Sequence, residues 1–153
     1  MNVGAESETD AGLYFAWGET KGYADASTKA FTENDYKFNP SGDNSTFTKY
    51  NLTDNKTVLD IEDDAAAVNM GDDWHMPTKE QCDELFNTEY VTNTFIENYQ
   101  DSGINGYLFT SVSNGNTLFI PAGGNYSNGE IWSVGESGSV WSSSLYTDNV
   151  NNA

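Results

Sequence analysis

Residues 107–121 carry the most constraining feature of the chain, a hairpin signature. Tyr107-Leu108-Phe109-Thr110-Ser111-Val112 and Thr117-Leu118-Phe119-Ile120 are aromatic and β-branched runs, with Asn114-Gly115 between them. Asn-Gly between apolar runs predicts a type I′ turn, whose two central residues need positive φ. Pro121 has no N–H to give and is expected to end the ladder.

The first half reads differently. Thr78-Lys79-Glu80-Gln81 matches the S/T-x-x-E/Q capping box, and Pro77 just before it fixes the approach of the chain. Cys82, Leu85 and Phe86 then fall at i, i+3 and i+4, predicting one buried stripe on a helix that ends near Thr88. A shorter helix is expected over 60–69. Asp60 stands at its N-cap with Asp63 three residues on, and Glu62, Asp63 and Asp64 crowd the turn where the helix dipole favours negative charge. Ala65, Ala66 and Val68 give this helix an apolar face, and Gly71 can end it. Residues 12–17 read as a short buried strand. Residues 22–56, rich in Asn, Asp, Ser and Thr, read as a long ordered loop with brief extended pieces. Residues 122–144 are rich in Gly and Ser and carry Trp132 and Trp141. Two short helices followed by strands and loops make an α+β arrangement rather than a βαβ one. At 153 residues the chain suits a single domain, 1–153, large enough to bury roughly 68–70% of its unfolded surface.

Charge removes whole classes of function. Asp and Glu number 24 against 6 basic residues, a formal net charge of -18, and every basic residue is a lysine. Nucleic acid demands a basic patch and anionic membranes a polybasic segment. No apolar run approaches the ~20 residues of a membrane helix. Residues 1–6 lack a basic and apolar signal segment, so any export signal is expected to have been removed or to lie outside this stretch. One cysteine allows no internal disulfide. The aromatic content, 14%, is that of a folded chain rather than a disordered acidic one.

Catalytic constellations are thin. His75 is the single histidine and sits between large apolar neighbours in Trp74-His75-Met76-Pro77, which favours a structural role over a triad member. Cys82 falls on the apolar stripe and reads as a small buried hydrophobe rather than a nucleophile. One His and one Cys cannot close a structural zinc site. Neither GxxxxGK[ST] nor GxGxxG occurs, so no nucleotide cofactor is implied. Calcium is left open by the density of Asp60, Glu62, Asp63, Asp64, Asp72 and Asp73, since hard cations prefer oxygen ligands. Helix capping accounts for Asp60 to Asp64 without a metal. Residues 101–106 match an EF-hand loop only in part, with Val112 where the twelfth ligand belongs. In a chain so rich in Asn, Ser and Thr, chance explains the four N-x-[ST] sequons at Asn44, Asn51, Asn55 and Asn125.

What remains is an aromatic and amide-rich surface. Asn125, Tyr126, Asn128, Glu130 and Trp132, followed by Tyr146, Asp148, Asn149 and Asn151, combine the residue types of an antibody-like paratope. Aromatic faces with amides also suit sugars. Tyr126 and Trp132 fit a binding surface and ordinary loop packing equally well. Trp141, before Ser142-Ser143-Ser144, reads as a buried loop tryptophan.

Several segments resemble one family in order along the chain. They are Gly12-Leu13-Tyr14-Phe15-Ala16-Trp17-Gly18-Glu19-Thr20, Thr48-Lys49-Tyr50-Asn51, Leu59-Asp60-Ile61-Glu62-Asp63-Asp64-Ala65-Ala66, Trp74-His75-Met76-Pro77-Thr78, Asn114-Gly115-Asn116 with Phe119-Ile120-Pro121-Ala122-Gly123-Gly124, and Trp141-Ser142-Ser143-Ser144. These are similar to the motifs of the Fibrobacter succinogenes major paralogous domain family. The resemblance implies a C-type-lectin-like fold, related to the formylglycine-generating enzymes and to variable ligand-display proteins of diversity-generating retroelements. His75 stands where the family usually has arginine, so a buried Arg–carboxylate pair is lost. Family members usually carry a strand before Asn2-Val3-Gly4-Ala5 and two strands after Asn152-Ala153. The chain is therefore expected to be truncated at both ends, with terminal strands missing. No cysteine follows Cys82, where the enzymes carry theirs, so the resemblance carries the fold and not that activity.

The expectation is thus a non-catalytic module of a bacterial surface or phage adhesion protein, extracellular, on the cell surface or on a virion. Its ligand is a glycan or a protein, bound by Asn125, Tyr126, Asn128, Glu130, Trp132, Tyr146, Asp148 and Asn149. No catalytic residue is assigned, no cofactor is required, and neither nucleic acid nor membrane insertion is expected. The alternative is a structural or assembly domain whose sheet is completed by a second copy or a partner chain.

Overall fold

The computed structural model describes residues 1–24, 35–42, 47–51, 53–127 and 129–147. The chain is mixed α+β. Helices α1 (Ala65–Met70) and α2 (Lys79–Leu85) precede strands β1 (Val91–Ile96), β2 (Gly106–Ser111), β3 (Thr117–Pro121), β4 (Asn125–Ser127) and β5 (Glu130–Trp132). Strands β1, β2 and β3 form an antiparallel sheet in that order, and β4 pairs with β5 alone.

The capping box forms as expected. The Thr78 hydroxyl accepts from the Gln81 N–H, and the Gln81 side chain accepts from the Thr78 N–H. Helix α2 stops at Leu85, and its stripe is only half covered: Cys82 and Leu85 are half-buried and Phe86 is 62% exposed. The first helix departs further. Residues Ile61–Asp63 make a 3-10 turn, and α1 starts only after Asp64, which is its N-cap. Asp60 makes no side-chain cap bond. One Asp64 oxygen accepts from the N–H groups of Ala66 and Ala67, and the other accepts from the N–H of Met76 at 2.8 Å. Ala65, Ala66 and Ala67 are buried, while Val68 faces solvent. Asp64→Ala removes the cap and orphans the Met76 N–H. Urea unfolding is expected to show a loss of about 2–3 kcal/mol, and a loss below about 0.5 kcal/mol would mean that water satisfies these donors.

The hairpin is present, with Thr110 opposite Thr117 and Gly106 opposite Pro121, where β3 ends. Its turn is not type I′. Gly115 alone takes positive φ, at 72°, while the Asn114 side chain accepts from the Asn116 N–H. The Ser111 N–H donates to the Asn116 carbonyl and the Gly115 N–H to the Ser111 carbonyl, so the reversal spans residues 112–116. A longer loop needs only one left-handed residue. Residues 12–17 are not a strand, because the single bridge Tyr14–Tyr23 is all the pairing they make among the described residues. The described parts of 22–56 hold no α-helix and no named strand. Asn44, Asn128, Asp148, Asn149 and Asn151 lie outside the described residues. The sequence reading did not place β1 or the β4–β5 hairpin. Asn128-Gly129 repeats the Asn-Gly signal between two short apolar pieces, with Ser127 opposite Glu130.

Two apolar clusters hold these pieces. Trp17, Tyr36, Phe38, Tyr50, Leu59 and Leu145 form the buried core, with Ala16, Phe47 and Met76 against it. Edge-to-face contacts of Trp17 with Tyr50 (5.1 Å) and of Phe38 with Tyr50 (5.0 Å) suit the ring quadrupoles. Around the sheet, Phe86 meets Phe109 edge-on from one face and Tyr99 stacks on Phe119 from the other.

Candidate functional site

A cleft of about 480 Å³ opens where the N-terminal segment, α1, residues 74–77, the end of β3 with β4, and residues 138–141 meet. Each wall is tied down by a specific bond. Asp10 accepts from the N–H groups of Gly12 and Glu6, which holds its carboxyl below the usual range and folds the N-terminal turn. The Leu13 N–H donates to the Val3 carbonyl. Tyr14 crosses to the far wall, its hydroxyl donating to the Gly123 carbonyl at 2.6 Å, and its burial pushes the phenol pKa up. Two tryptophans clasp the back. The Trp141 indole N–H donates to the Phe15 carbonyl at 2.8 Å and the Trp17 indole to the Ser142 carbonyl at 2.9 Å. At Gly124, φ is 73° and a Cβ would lie 2.1 Å from the Trp132 carbonyl oxygen, so only glycine lets this wall approach the second hairpin.

The lining is largely aromatic and aliphatic. The Tyr126 ring lies nearly parallel to Tyr23 (centroids 6.1 Å, interplanar angle 12°) and tilted against Tyr14 (6.2 Å). Its hydroxyl oxygen is buried and has no hydrogen-bond partner among the described residues. A buried hydroxyl left unpaired costs roughly 1–3 kcal/mol, so a ligand that bonds to it recovers that cost. Polar atoms elsewhere in the lining come from Asn2, Glu19, His75, Asn125 and Ser139. No lysine lines the cleft among the described residues.

The expected site residues divide. Asn125 and Tyr126 line the cleft. Glu130, Trp132 and Tyr146 are exposed and lie outside it, the Trp132 indole reaching only the Ser127 carbonyl at 3.4 Å. Trp141, expected to be buried, is 53% exposed and forms part of the cleft wall. The sequence reading also missed Tyr14, Tyr23 and Trp74 as lining residues. The bridge and ring contacts that bring Tyr14 and Tyr23 to Tyr126 span about a hundred residues of chain, which no local pattern reveals. His75 is exposed, and one ring nitrogen lies 3.0 Å from the Met76 carbonyl. Cys82 is half-buried, which pushes its thiol pKa up, away from a nucleophile's.

The acidic cluster proves to be an internal ion-pair network. Carboxylate oxygens of Asp60, Glu62 and Asp63 lie within 4.8 Å of one another. The Lys49 ammonium sits among them, at 2.7 Å from Asp60, 3.0 Å from Glu62 and 2.5 Å from Asp63. Lys37 pairs with Asp63 at 2.7 Å and Lys56 with Asp60. Buried Tyr50 donates its hydroxyl to Asp63 at 2.6 Å and accepts the Asp60 N–H at 2.7 Å. Burial alone would raise the Asp63 pKa, but the bonds from Lys37, Lys49 and Tyr50 outweigh it and hold the carboxyl below its ordinary value. Burial works against the Lys49 charge as well, and its three carboxylate bonds more than offset that and raise its pKa. Three ammonium groups thus compensate the three carboxylates, and a calcium ion would have to displace Lys49. Asp72 and Asp73 are exposed and outside the cluster, and Asp64 is committed to its cap. Residues 98–103 close on themselves rather than around a cation: the Asn98 side chain accepts from the Gly103 N–H and donates to Asp101.

Fold and site together define a small α+β protein with an aromatic, lysine-free cleft on a tightly bonded scaffold. No family model matches the chain, and neither a curated protein nor a solved structure matches it.

Proposed function

We propose that the chain is a non-catalytic ligand-binding module of C-type-lectin-like architecture, presented by a bacterial surface or phage adhesion protein. It takes a glycan or protein ligand in the cleft between the N-terminal segment and β4. One observation carries this reading, namely a concave aromatic pocket with a buried hydroxyl, that of Tyr126, left unpartnered among the described residues. Such a wall gives apolar contact area, and the orphan hydroxyl selects a ligand that brings a hydrogen-bonding group. Apart from tyrosines, Glu19 and His75 are the titratable side chains lining it among the described residues, and they are engaged separately, Glu19 accepting from the Lys37 N–H and His75 lying 3.0 Å from the Met76 carbonyl. The motif segments that resemble the lectin-like family tie the scaffold together and also supply much of the cleft wall, among them Tyr14, Trp74, Pro121 and Trp141. Tyr50 bonds to Asp63, Asp64 to Met76 and Trp17 to Ser142, each joining one motif to another.

The test is a glycan-array screen of the purified chain, with calcium and again with EDTA, followed by Tyr126→Phe. Binding that survives EDTA and weakens in the variant supports the reading. Unchanged binding in Tyr126→Phe places the site elsewhere. The variant also carries a stability signature. Deleting an unpaired buried hydroxyl is expected to stabilise the free protein, by about 1 kcal/mol in urea unfolding. A loss of similar size would mean that water already satisfies the hydroxyl.

A second reading, an assembly domain completed by another chain, is favoured by one feature: the outer edge of β1, along which no strand of the described residues pairs.

A further inference from the structure

The net charge of -18 is spread very unevenly. No residue of β1 is charged, and none from 102 to 129 is, so the whole three-stranded sheet and the turn of its hairpin are neutral. The six lysines all lie between residues 21 and 79, and most of the acids lie before residue 102. Yet this neutral sheet is not a buried one. All four middle residues of β1 are exposed, and the strand's burial is partial only at its two ends.

One face of the sheet also carries a row of rings. Phe86 contacts Phe109 at 5.4 Å, Phe109 contacts Tyr107 at 6.4 Å and Tyr107 contacts Phe95 at 5.2 Å. Cross-strand register puts Asn93, Phe109 and Leu118 on this face with Phe95, Tyr107 and Ile120. Phe95, Tyr107 and Leu118 are 36%, 40% and 45% exposed. The row ends at β1, along whose outer edge no strand of the described residues pairs.

Soluble proteins blunt such edges with charge, proline or a bulge, because an open row of N–H and C=O groups recruits another strand. The two edges here are treated differently. Strand β3 ends in Pro121, whereas β1, Val91-Thr92-Asn93-Thr94-Phe95-Ile96, carries neither proline nor charge and pairs residue for residue with β2 without a bulge.

We propose that β1 is the dimer edge of this protein, pairing antiparallel with β1 of a second copy about a two-fold axis normal to the sheet. The result is a continuous six-stranded sheet on which the two rows of rings share one face. The charge distribution picks out a second copy as the occupant. Two chains of charge -18 repel each other, and a neutral strip is the surface on which they can meet. A basic partner would gain from acidic groups at its contact, and this sheet offers it none. An isologous contact also needs a self-complementary element, which an antiparallel strand edge is. The inference does not rest on the cleft. Strand β1 is the edge away from β3, and it is β3 that contributes Ile120 and Pro121 to the cleft wall.

Sedimentation equilibrium of the intact chain over a micromolar-to-millimolar series, at low and at high salt, tests the proposal. A monomer–dimer equilibrium is expected, tightening as salt rises because screening weakens the repulsion between like-charged copies. Thr94→Lys, at an exposed position of β1, is expected to weaken the dimer by more than about tenfold, with an unchanged circular-dichroism spectrum. Asn93→Lys, on the opposite face of the strand, serves if Thr94→Lys disturbs folding. Val68→Lys, on the exposed side of α1, is expected to leave the dimer intact. A chain that stays monomeric throughout overturns the proposal and leaves the sheet to a different partner. So does a dimer that weakens with salt, or one that neither β1 variant perturbs.

Discussion

Asp63→Ala is expected to cost about 3–5 kcal/mol of folding free energy, the range for removing one member of a buried, hydrogen-bonded charge pair. The carboxylate is only 8% exposed and holds three partners: the ammonium groups of Lys37 and Lys49 and the hydroxyl of Tyr50. Alanine leaves Lys37 and Tyr50 without this acceptor, while Lys49 keeps Asp60 and Glu62. Lys37, one-third exposed, can turn to water, so the loss should fall toward the low end of the range. Tyr50 has no such escape, since it is 1% exposed. Against a typical stability of about 5–15 kcal/mol, the variant stands near the limit of folding at ambient temperature. Asp63→Asn keeps an acceptor oxygen and should lose less. Urea unfolding at neutral pH reads both, and a loss below about 1 kcal/mol in Asp63→Ala would mean that the lysines rehydrate freely.

The same carboxylate sets the acid limb of stability. Its pKa in the fold is lowered relative to the unfolded chain, so its contribution is fully present above the unfolded value and disappears as pH falls through the folded one. The alkaline limb has the opposite sign. Burial raises the pKa values of Tyr36 and Tyr50. Their contribution is complete below the ordinary tyrosine range and is lost as pH rises through the raised values. Stability should therefore be flat between roughly pH 5 and 9 and fall on both sides. In Asp63→Ala or Asp63→Asn the acid fall should be shallower. An unchanged acid limb would assign it to other carboxylates.

Trp17→Ala should be the most damaging change in the apolar core, at about 3–5 kcal/mol. The indole packs edge-on against Tyr50 and closes the cluster of Tyr36, Phe38, Leu59 and Leu145. Its N–H also ties residue 17 to the Ser142 carbonyl. That bond and the one from Trp141 to the Phe15 carbonyl zip two distant segments together behind the cleft. The cost therefore reaches the site. Trp17→Phe keeps a smaller aromatic filler and drops the bond, and it should lose less, about 1–2 kcal/mol. If Trp17→Ala and Trp17→Phe lose equally, the phenyl ring recovers none of the indole's packing and the loss lies in the indole's own contacts and its N–H bond.

The parts of this architecture legible in the sequence are those whose partners lie within a few residues. Thr78 and Gln81 cap each other across one helical turn, so their types and spacing suffice. Asn114-Gly115 marks a reversal because a glycine at positive φ is a local requirement, although the loop around it is longer than a two-residue turn. The same rule would have located the second hairpin at Asn128-Gly129. Capping of α1 was misplaced by four residues because Asp60, Asp63 and Asp64 are equivalent in sequence. The tertiary structure separates them: Asp64 has Met76 to hold as well as two helix N–H groups, Asp63 has two lysines and a tyrosine, and Asp60 is drawn to Lys49 and Lys56.

The site was legible only in its chemistry. The cleft lining is largely aromatic and aliphatic, and Asn125 and Tyr126 are the two expected positions that line it. Trp132 and Trp141 show why the rest escaped notice. Both are about half exposed and both follow glycine- and serine-rich stretches. One reaches a carbonyl five residues away and remains outside the cleft. The other reaches a carbonyl 126 residues away and becomes its wall. Sequence by itself determined the local elements, the absence of arginine and the excess of acid. Tertiary structure alone decided which carbonyl each indole finds, which lysine neutralises which carboxylate and where Tyr126 loses its water. Those outcomes depend on the meeting of segments far apart in the chain, and side-chain type does not encode the distance.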